Sequence, residues 1–283
     1  MNKIWLPLFL CCFCINNICA ETNISIGCSK NTPLHCMVGV ILENTDIFKQ
    51  NNVKGKVIYF DSGKEQNEIC QKDDVTVTFS CSYQPFLHLQ NLPTYKIINS
   101  LGSLGKVYMI STKDSMSDVN TVYFRTGAST PMIIEKMSSI YNINFSPIEL
   151  ENDLNGITTF LDWSPWVEAK ILSQKYKILF SEQFYSFTIA KINDRATYNK
   201  INNIFKQVVQ WAKNNKYKTI DMVSKKSNID KKIVEMVLND NLNFSGTNID
   251  LSITNEPLNE LYLSFLFMKN ELNGKTLEEF LYK

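Results

Sequence analysis

Val57-Ile58-Tyr59-Phe60, closed by Asp61-Ser62-Gly63, and Val75-Thr76-Val77-Thr78-Phe79, closed by Ser80-Cys81-Ser82, decide the fold. Each is a short apolar or β-branched run ending in small polar residues, the pattern of a buried strand. Between them lies a short helical stretch through Ile69. Ahead of them Asn23-Ile24-Ser25-Ile26-Gly27-Cys28 alternates like a strand. Pro33 then sits where a first helical turn tolerates proline, and Leu34, Met37, Val38, Ile41 and Leu42 follow at helical spacing. Strand, helix, strand, helix, strand predicts a mostly parallel sheet with helices on its faces, an α/β fold.

The pattern continues. Tyr95–Ile98 and Lys106–Ile110 read as separate strands, and the polar run 111–119 reads as a boundary. Val122–Arg125 reads as a strand that leads through Thr126-Gly127-Ala128-Ser129-Thr130 into a helix with Pro131 in its first turn. That helix should bury Ile133, Ile134, Met137, Ile140 and Tyr141. Phe145–Leu150 is strand-like, and Asp162-Trp163-Ser164-Pro165-Trp166 reads as a turn entering a helix. Tyr176–Phe180 and Tyr185–Ala190 are extended. Beyond them the apolar period becomes 3.6. Ile201, Ile204, Phe205, Val208, Val209 and Ala212 line one helix; Ile229, Ile233, Met236 and Val237 a second; Leu258, Leu261, Tyr262, Phe265 and Leu266 a third. All three stripes are expected to be core faces.

The N-terminus has the parts of a secretory signal: Lys3, an apolar run from Ile4 to Ile15, and Ala20 before Glu21-Thr22-Asn23. Cleavage is expected after Ala20, giving a signal peptide over 1–20. A lipid anchor at Cys19 is disfavoured, because Ile18 stands where a small residue is required. Removing Lys3 from the 29 basic residues leaves 28 against 28 acidic ones. With no basic stripe, a nucleic-acid partner is not expected. Of eight cysteines, four lie in the signal; Cys28, Cys36, Cys70 and Cys81 remain. In an oxidising compartment at least one disulfide is expected, Cys70 with Cys81 or Cys28 with Cys36, with buried thiols as the alternative.

The helix ending Glu43-Asn44-Thr45-Asp46-Ile47-Phe48, the loop Ser80-Cys81-Ser82-Tyr83-Gln84-Pro85, the junction Arg125 to Pro131, and Trp163-Ser164-Pro165-Trp166 together resemble the type 2 periplasmic substrate-binding proteins of ABC transporters. The nearest branch serves sulfonate, nitrate and thiamine-precursor ligands. The resemblance implies a two-lobed fold joined by a two-strand hinge. Lobe 1 would be 21–111 and 184–283, lobe 2 the inserted 112–183, and the hinge crossings near 111–116 and 180–185. It further implies a monomeric, non-catalytic receptor outside the cytoplasm. Such a receptor hands a small molecule to a permease with its ATPase and needs neither cofactor nor metal. An exported enzyme on the same scaffold and a ligand-presenting sensor are the alternatives.

Ligand should meet strand ends and helix starts, where backbone N–H groups are unpaired. That selects Asn31 and Thr32, then Ser80, Ser82, Tyr83 and Gln84, then Thr126, Gly127, Ser129 and Thr130. Arg125 is one of only two arginines, and its planar fork suits a carboxylate or sulfonate. Trp163 and Trp166 offer flat apolar walls, and Asp162 could take a ligand amine or cap the next helix. The only histidines, His35 and His88, are read as surface residues, since no metal or nucleophile motif surrounds them.

Overall fold

The structure, a computed structural model, describes residues 22–282 apart from 73–74, 82–84, 125–129, 142–147, 150–156, 172–175, 243–250 and 254. The signal segment, Cys19, Arg125, and the 82–84 and 126–129 loops lie outside the described residues.

The chain opens with β1 (Thr22–Ser29), α1 (Pro33–Glu43), α2 (Ile47–Gln50), β2 (Val53–Phe60), α3 (Gly63–Gln71), β3 (Val77–Cys81) and α4 (Pro85–Asn91). Then come β4 (Tyr95–Ser111), β5 (Tyr123–Phe124), α5 (Thr130–Tyr141), β6 (Ile148–Glu149), β7 (Thr159–Trp163), α6 (Trp166–Ile171) and β8 (Lys177–Lys191). The remainder is helical: α7 (Arg195–Asn214), α8 (Lys216–Ser227), α9 (Lys231–Leu242), α10 (Asn255–Met268) and α11 (Leu277–Phe280).

The strands form a single mixed sheet in the order β2-β1-β3-β8-β4-β7-β5-β6. β1 runs parallel to β2 and β3, and β5 parallel to β6 and β7. Between these groups β4 and β8 lie antiparallel to each other, and they too are antiparallel to β7 and β3 respectively. Two strands therefore carry the chain from one parallel group to the other. Each was expected as two pieces. The Asn99-to-Gly105 stretch and Ser181-Glu182-Gln183 look like breaks because they are polar or glycine-rich, yet the ladder runs through them. β4 pays for this with irregular register between Ile97 and Gly105, and with positive φ at Gly102 (103°) and Gly105 (124°), a conformation open to glycine.

One apolar cluster packs Ile24, Ile26 and Phe79 of the sheet against α1, α7 and α9, and extends to Val122, Phe124, Ile133 and Met137. A second, on other helices, joins Phe86, Leu89, Phe187, Leu261, Phe265 and Phe280. Ile201, Ile204, Phe205, Val208, Val209 and Ala212 of α7 are all buried, as their spacing requires.

Four helices differ from the sequence reading. α8, with Thr219, Ile220 and Val223 inside, was not read from sequence at all; its lysine-rich surface hides a narrow stripe. In α9 the buried residues are Val234, Val237 and Leu238, and Met236 is exposed. In α10 only Leu261 and Phe265 of the expected stripe are buried, whereas Leu258, Tyr262 and Leu266 are exposed beside Leu263 and Phe267. Apolar residues lie on more than one face of α10, so their spacing does not say which face is buried. On α5, likewise, Ile133 and Met137 are buried while Ile140 and Tyr141 are exposed.

The expected disulfide is absent. Cys28, Cys36, Cys70 and Cys81 are all thiols. Cys70 belongs to the second cluster and Cys81 packs against the first, so short sequence separation does not bring them together. Burial pushes the Cys36 thiol up to about 12 and Cys70 up to about 11, which keeps both protonated and unreactive.

Candidate functional site

The parallel strands β1, β2 and β3 end side by side, and β7 ends across from them. Between these ends lies a cleft of about 350 Å³. A crevice outside the carboxyl ends of sheet strands is where α/β proteins hold ligands, because the sheet leaves it open and helix starts point amides into it.

The first wall is small and polar. Ser29, Asn31 and Thr32 follow β1, Asp61 and Ser62 follow β2, and Ser80 and Cys81 end β3. These groups fix one another. Thr32 Oγ1 donates to Ser29 Oγ (3.2 Å), Asn31 Nδ2 to the Asp61 carbonyl (3.0 Å), and Lys30 Nζ pairs with Asp61 at the rim (3.1 Å). Ser62 Oγ accepts the Glu65 N–H (3.2 Å), capping α3.

Behind this wall sit three larger polar groups. Gln66 is buried and donates to Thr78 Oγ1 (2.9 Å) and to the Phe79 carbonyl (2.7 Å), tying α3 to β3. His35, on α1, stacks on Phe79 with ring centroids 4.8 Å apart and meets Ser186 Oγ at 2.9 Å. His88, on α4, meets Asn67 Oδ1 at 2.6 Å. Both rings are buried and both line the cleft, so neither is the surface histidine expected from sequence. Burial disfavours their charged forms and lowers His35 to about 3 and His88 to about 4. The signal missed was position: His35 lies on the helix after β1, and His88 on the helix after β3.

The second wall is aromatic. β7 extends through Trp163, so Asp162 and Trp163 lie on a strand and not in the expected turn. Asp162 is wholly buried. It accepts the Trp163 N–H (2.9 Å) and pairs with Lys170 of α6 (3.1 Å), which makes it neither a helix cap nor a bare charge. Trp163 is half-buried and packs against the main core, whereas Trp166 is 45% exposed. Ser164 joins the wall to the shared strands: its N–H donates to the Lys106 carbonyl (2.9 Å), and its Oγ accepts the Lys106 N–H (2.9 Å). Leu104 and Phe184, from β4 and β8, line the cleft as well. A Cβ at Gly105 would come within 2.6 Å of Ser164 Cβ and Oγ, so this close approach depends on glycine.

Of the residues singled out in the sequence, Asn31, Thr32, Ser80, Asp162, Trp163 and Trp166 line this cleft. Thr130 begins α5, and its side chain, with those of Ser82, Tyr83, Gln84, Arg125, Thr126, Gly127 and Ser129, lies outside the described residues. Among the described residues, no group of three His, Cys, Asp or Glu side chains could hold a metal ion, and no helix is long and apolar enough to cross a membrane.

No family model matches the sequence, and no curated protein matches it. Solved structures do. The periplasmic aliphatic sulphonate binding protein SsuA from Escherichia coli is similar with a TM-score of 0.72 at 13% identity, over 92% of this chain and 92% of that one. A periplasmic sulfonate-binding protein from Methylobacillus flagellatus gives 0.68 at 14% identity, over 93% and 92%. A Candida albicans gene product with the generic periplasmic binding protein fold gives 0.63 at 10% identity, over 93% and 96%. At such identities the likeness speaks for architecture, and this chain has the α/β periplasmic-binding-protein fold.

Proposed function

We propose that the chain is an extracytoplasmic solute-binding protein that captures a small organic ligand in this cleft and delivers it to an ABC permease without chemical change. One observation carries the reading: the cleft lies between two strand groups linked by β4 and β8, with a pre-bonded polar wall on one side and tryptophans on the other. Closing such walls on a small molecule removes water from polar contacts and buries its flat faces. The lobes are taken as 21–111 with 184–283, and 112–183. Their relative rotation would be absorbed in β4 and β8, the two strands that run from one strand group to the other. The proposed ligand contacts include Arg125 and the 82–84 and 126–130 segments beside the described lining.

The test is a thermal-shift screen of the chain from Glu21 onward against sulfonates, carboxylates, pyrimidines and amines, followed by calorimetry and small-angle scattering. A ligand that binds only the folded state raises the midpoint, and a two-lobed receptor becomes more compact when loaded. Turnover of the bound compound, lost with a cleft histidine or cysteine, would replace this reading with the exported-enzyme one.

A further inference from the structure

Resting on the receptor reading, we infer that Lys136 is a positioning residue that fastens the inserted lobe to helix α10 of the other lobe and so restrains the opening and closing of the cleft. Lys136 lies on α5, inside the inserted 112–183 segment. Its ammonium pairs with Glu182 of β8 and reaches Glu260 of α10 at 3.5 Å. Glu182 belongs to the inserted segment and to one of the two strands that join the lobes, whereas α10 belongs to lobe 1. The pairs Lys170 with Asp162 and Lys177 with Asp114 stay within the inserted segment. A turn of the lobes about β4 and β8 would therefore change the separation of Lys136 from Glu260, while Glu182 travels with the lysine.

Burial gives this contact weight. The side chains of Lys136, Glu182 and Glu260 are 28%, 17% and 14% exposed, so water and salt screen them less than a surface pair. One lysine answers two acids, and Glu182 Oε2 and Glu260 Oε2 are buried without a hydrogen-bond partner. The Glu260 carboxyl senses both neighbours: burial raises it, Lys136 lowers it and Glu182 raises it. Either acid alone would balance the lysine. The fastening also reaches the cleft. α5 starts at Thr130, the end of the segment taken to touch ligand, and Lys136 follows within two helical turns. Glu182 is two residues from Phe184, which lines the cleft.

The test compares two variants that each remove one acid and leave a one-to-one ion pair. Glu260→Met cuts the tie between the lobes, and Glu182→Met keeps it. Spin labels on p-acetylphenylalanine at the exposed positions Lys64 of α3 and Ser139 of α5 leave the native thiols untouched. They report the distance between the lobes in the ligand-free protein. Glu260→Met should enlarge a second distance population about tenfold, the effect on an equilibrium of one hydrogen bond to a charged group. Glu182→Met should keep the wild-type distribution. Urea melts show whether each variant folds; if the Met variants do not, Glu260→Gln and Glu182→Gln keep the volume and should differ in the same direction. Three results overturn the inference: both variants matching wild type, both changing alike, as a merely structural role would give, or only the Glu182 variant changing. The receptor reading survives any of these and falls only if the wider screen of sulfonates, carboxylates, pyrimidines and amines finds no ligand.

Discussion

The two walls of the cleft are built differently, and the difference separates what holds the protein together from what would hold a ligand. The first wall is a set of short side chains at the ends of β1, β2 and β3. Each is tied to a neighbour, and all are backed by the buried groups Gln66, His35 and His88. The second is a strand end and a short helix that present indoles to the opening, with Asp162 neutralised from behind by Lys170. Changes on the first wall should therefore register in stability, and changes at the outer edge of the second in binding.

The largest effect expected is acid sensitivity seated behind the first wall. Unfolded, His35 and His88 take up protons near 6.5; folded, they stay neutral down to about 3 and about 4. Their contribution is whole above 6.5 and is lost as pH falls through that value toward the folded ones. At pH 5 the loss is roughly 2 kcal/mol for each ring, so roughly 4 kcal/mol together. Glu168 and Glu260 act in the opposite sense, because burial holds both carboxyls above their usual range and folding then favours their protonated forms; they offset part of the loss. Urea melts at pH 7 and pH 5 measure the balance, and His35→Phe should remove about half of the histidine dependence. The same loss between pH 7 and pH 5 in the wild-type protein and in His35→Phe would show that this ring is not buried neutral.

Next in size is the point where the walls meet the shared strands. Gly105→Ala puts a methyl against Ser164 and holds alanine at a φ of 124°. A loss of about 1–3 kcal/mol in the same melts is expected. Gly63→Ala, where a Cβ meets nothing within 4 Å, is the control and should move the midpoint far less.

How much of this could be read from the chain alone follows the same division. The first wall was legible because β1, β2, their helices and the polar strand ends obey local rules, so Asn31, Thr32 and Ser80 were found at their junctions. α7 was legible because a long amphipathic stripe has one solution. β4 and β8 were not, since a strand that runs through glycines and polar residues survives only by pairing with the other, a long-range fact. His35 and His88 escaped because histidine carries no mark of burial when its partner, Ser186 or Asn67, is distant in sequence. α10 misled because its apolar residues outnumber the buried positions.

The smallest effects test the second wall. Trp163→Ala should weaken binding of the ligand identified in the screen by about 1–3 kcal/mol, as loss of an aromatic anchor does in a desolvated pocket. Because Trp163 also packs against the main core, some stability should go with it. Trp166 isolates the binding role. It is 45% exposed at the start of α6, and removing its indole uncovers little that is now buried. Trp166→Ala should therefore change stability by no more than about 0.5 kcal/mol, the range of ordinary surface substitutions. Binding should weaken by about 0.5–1.5 kcal/mol if the indole closes over the ligand's flat face. A Trp166→Ala protein with unchanged affinity would place the ligand deeper, against Trp163 and His88. One that unfolds as easily as Trp163→Ala would show that the outer indole packs against the second wall as tightly as the inner one.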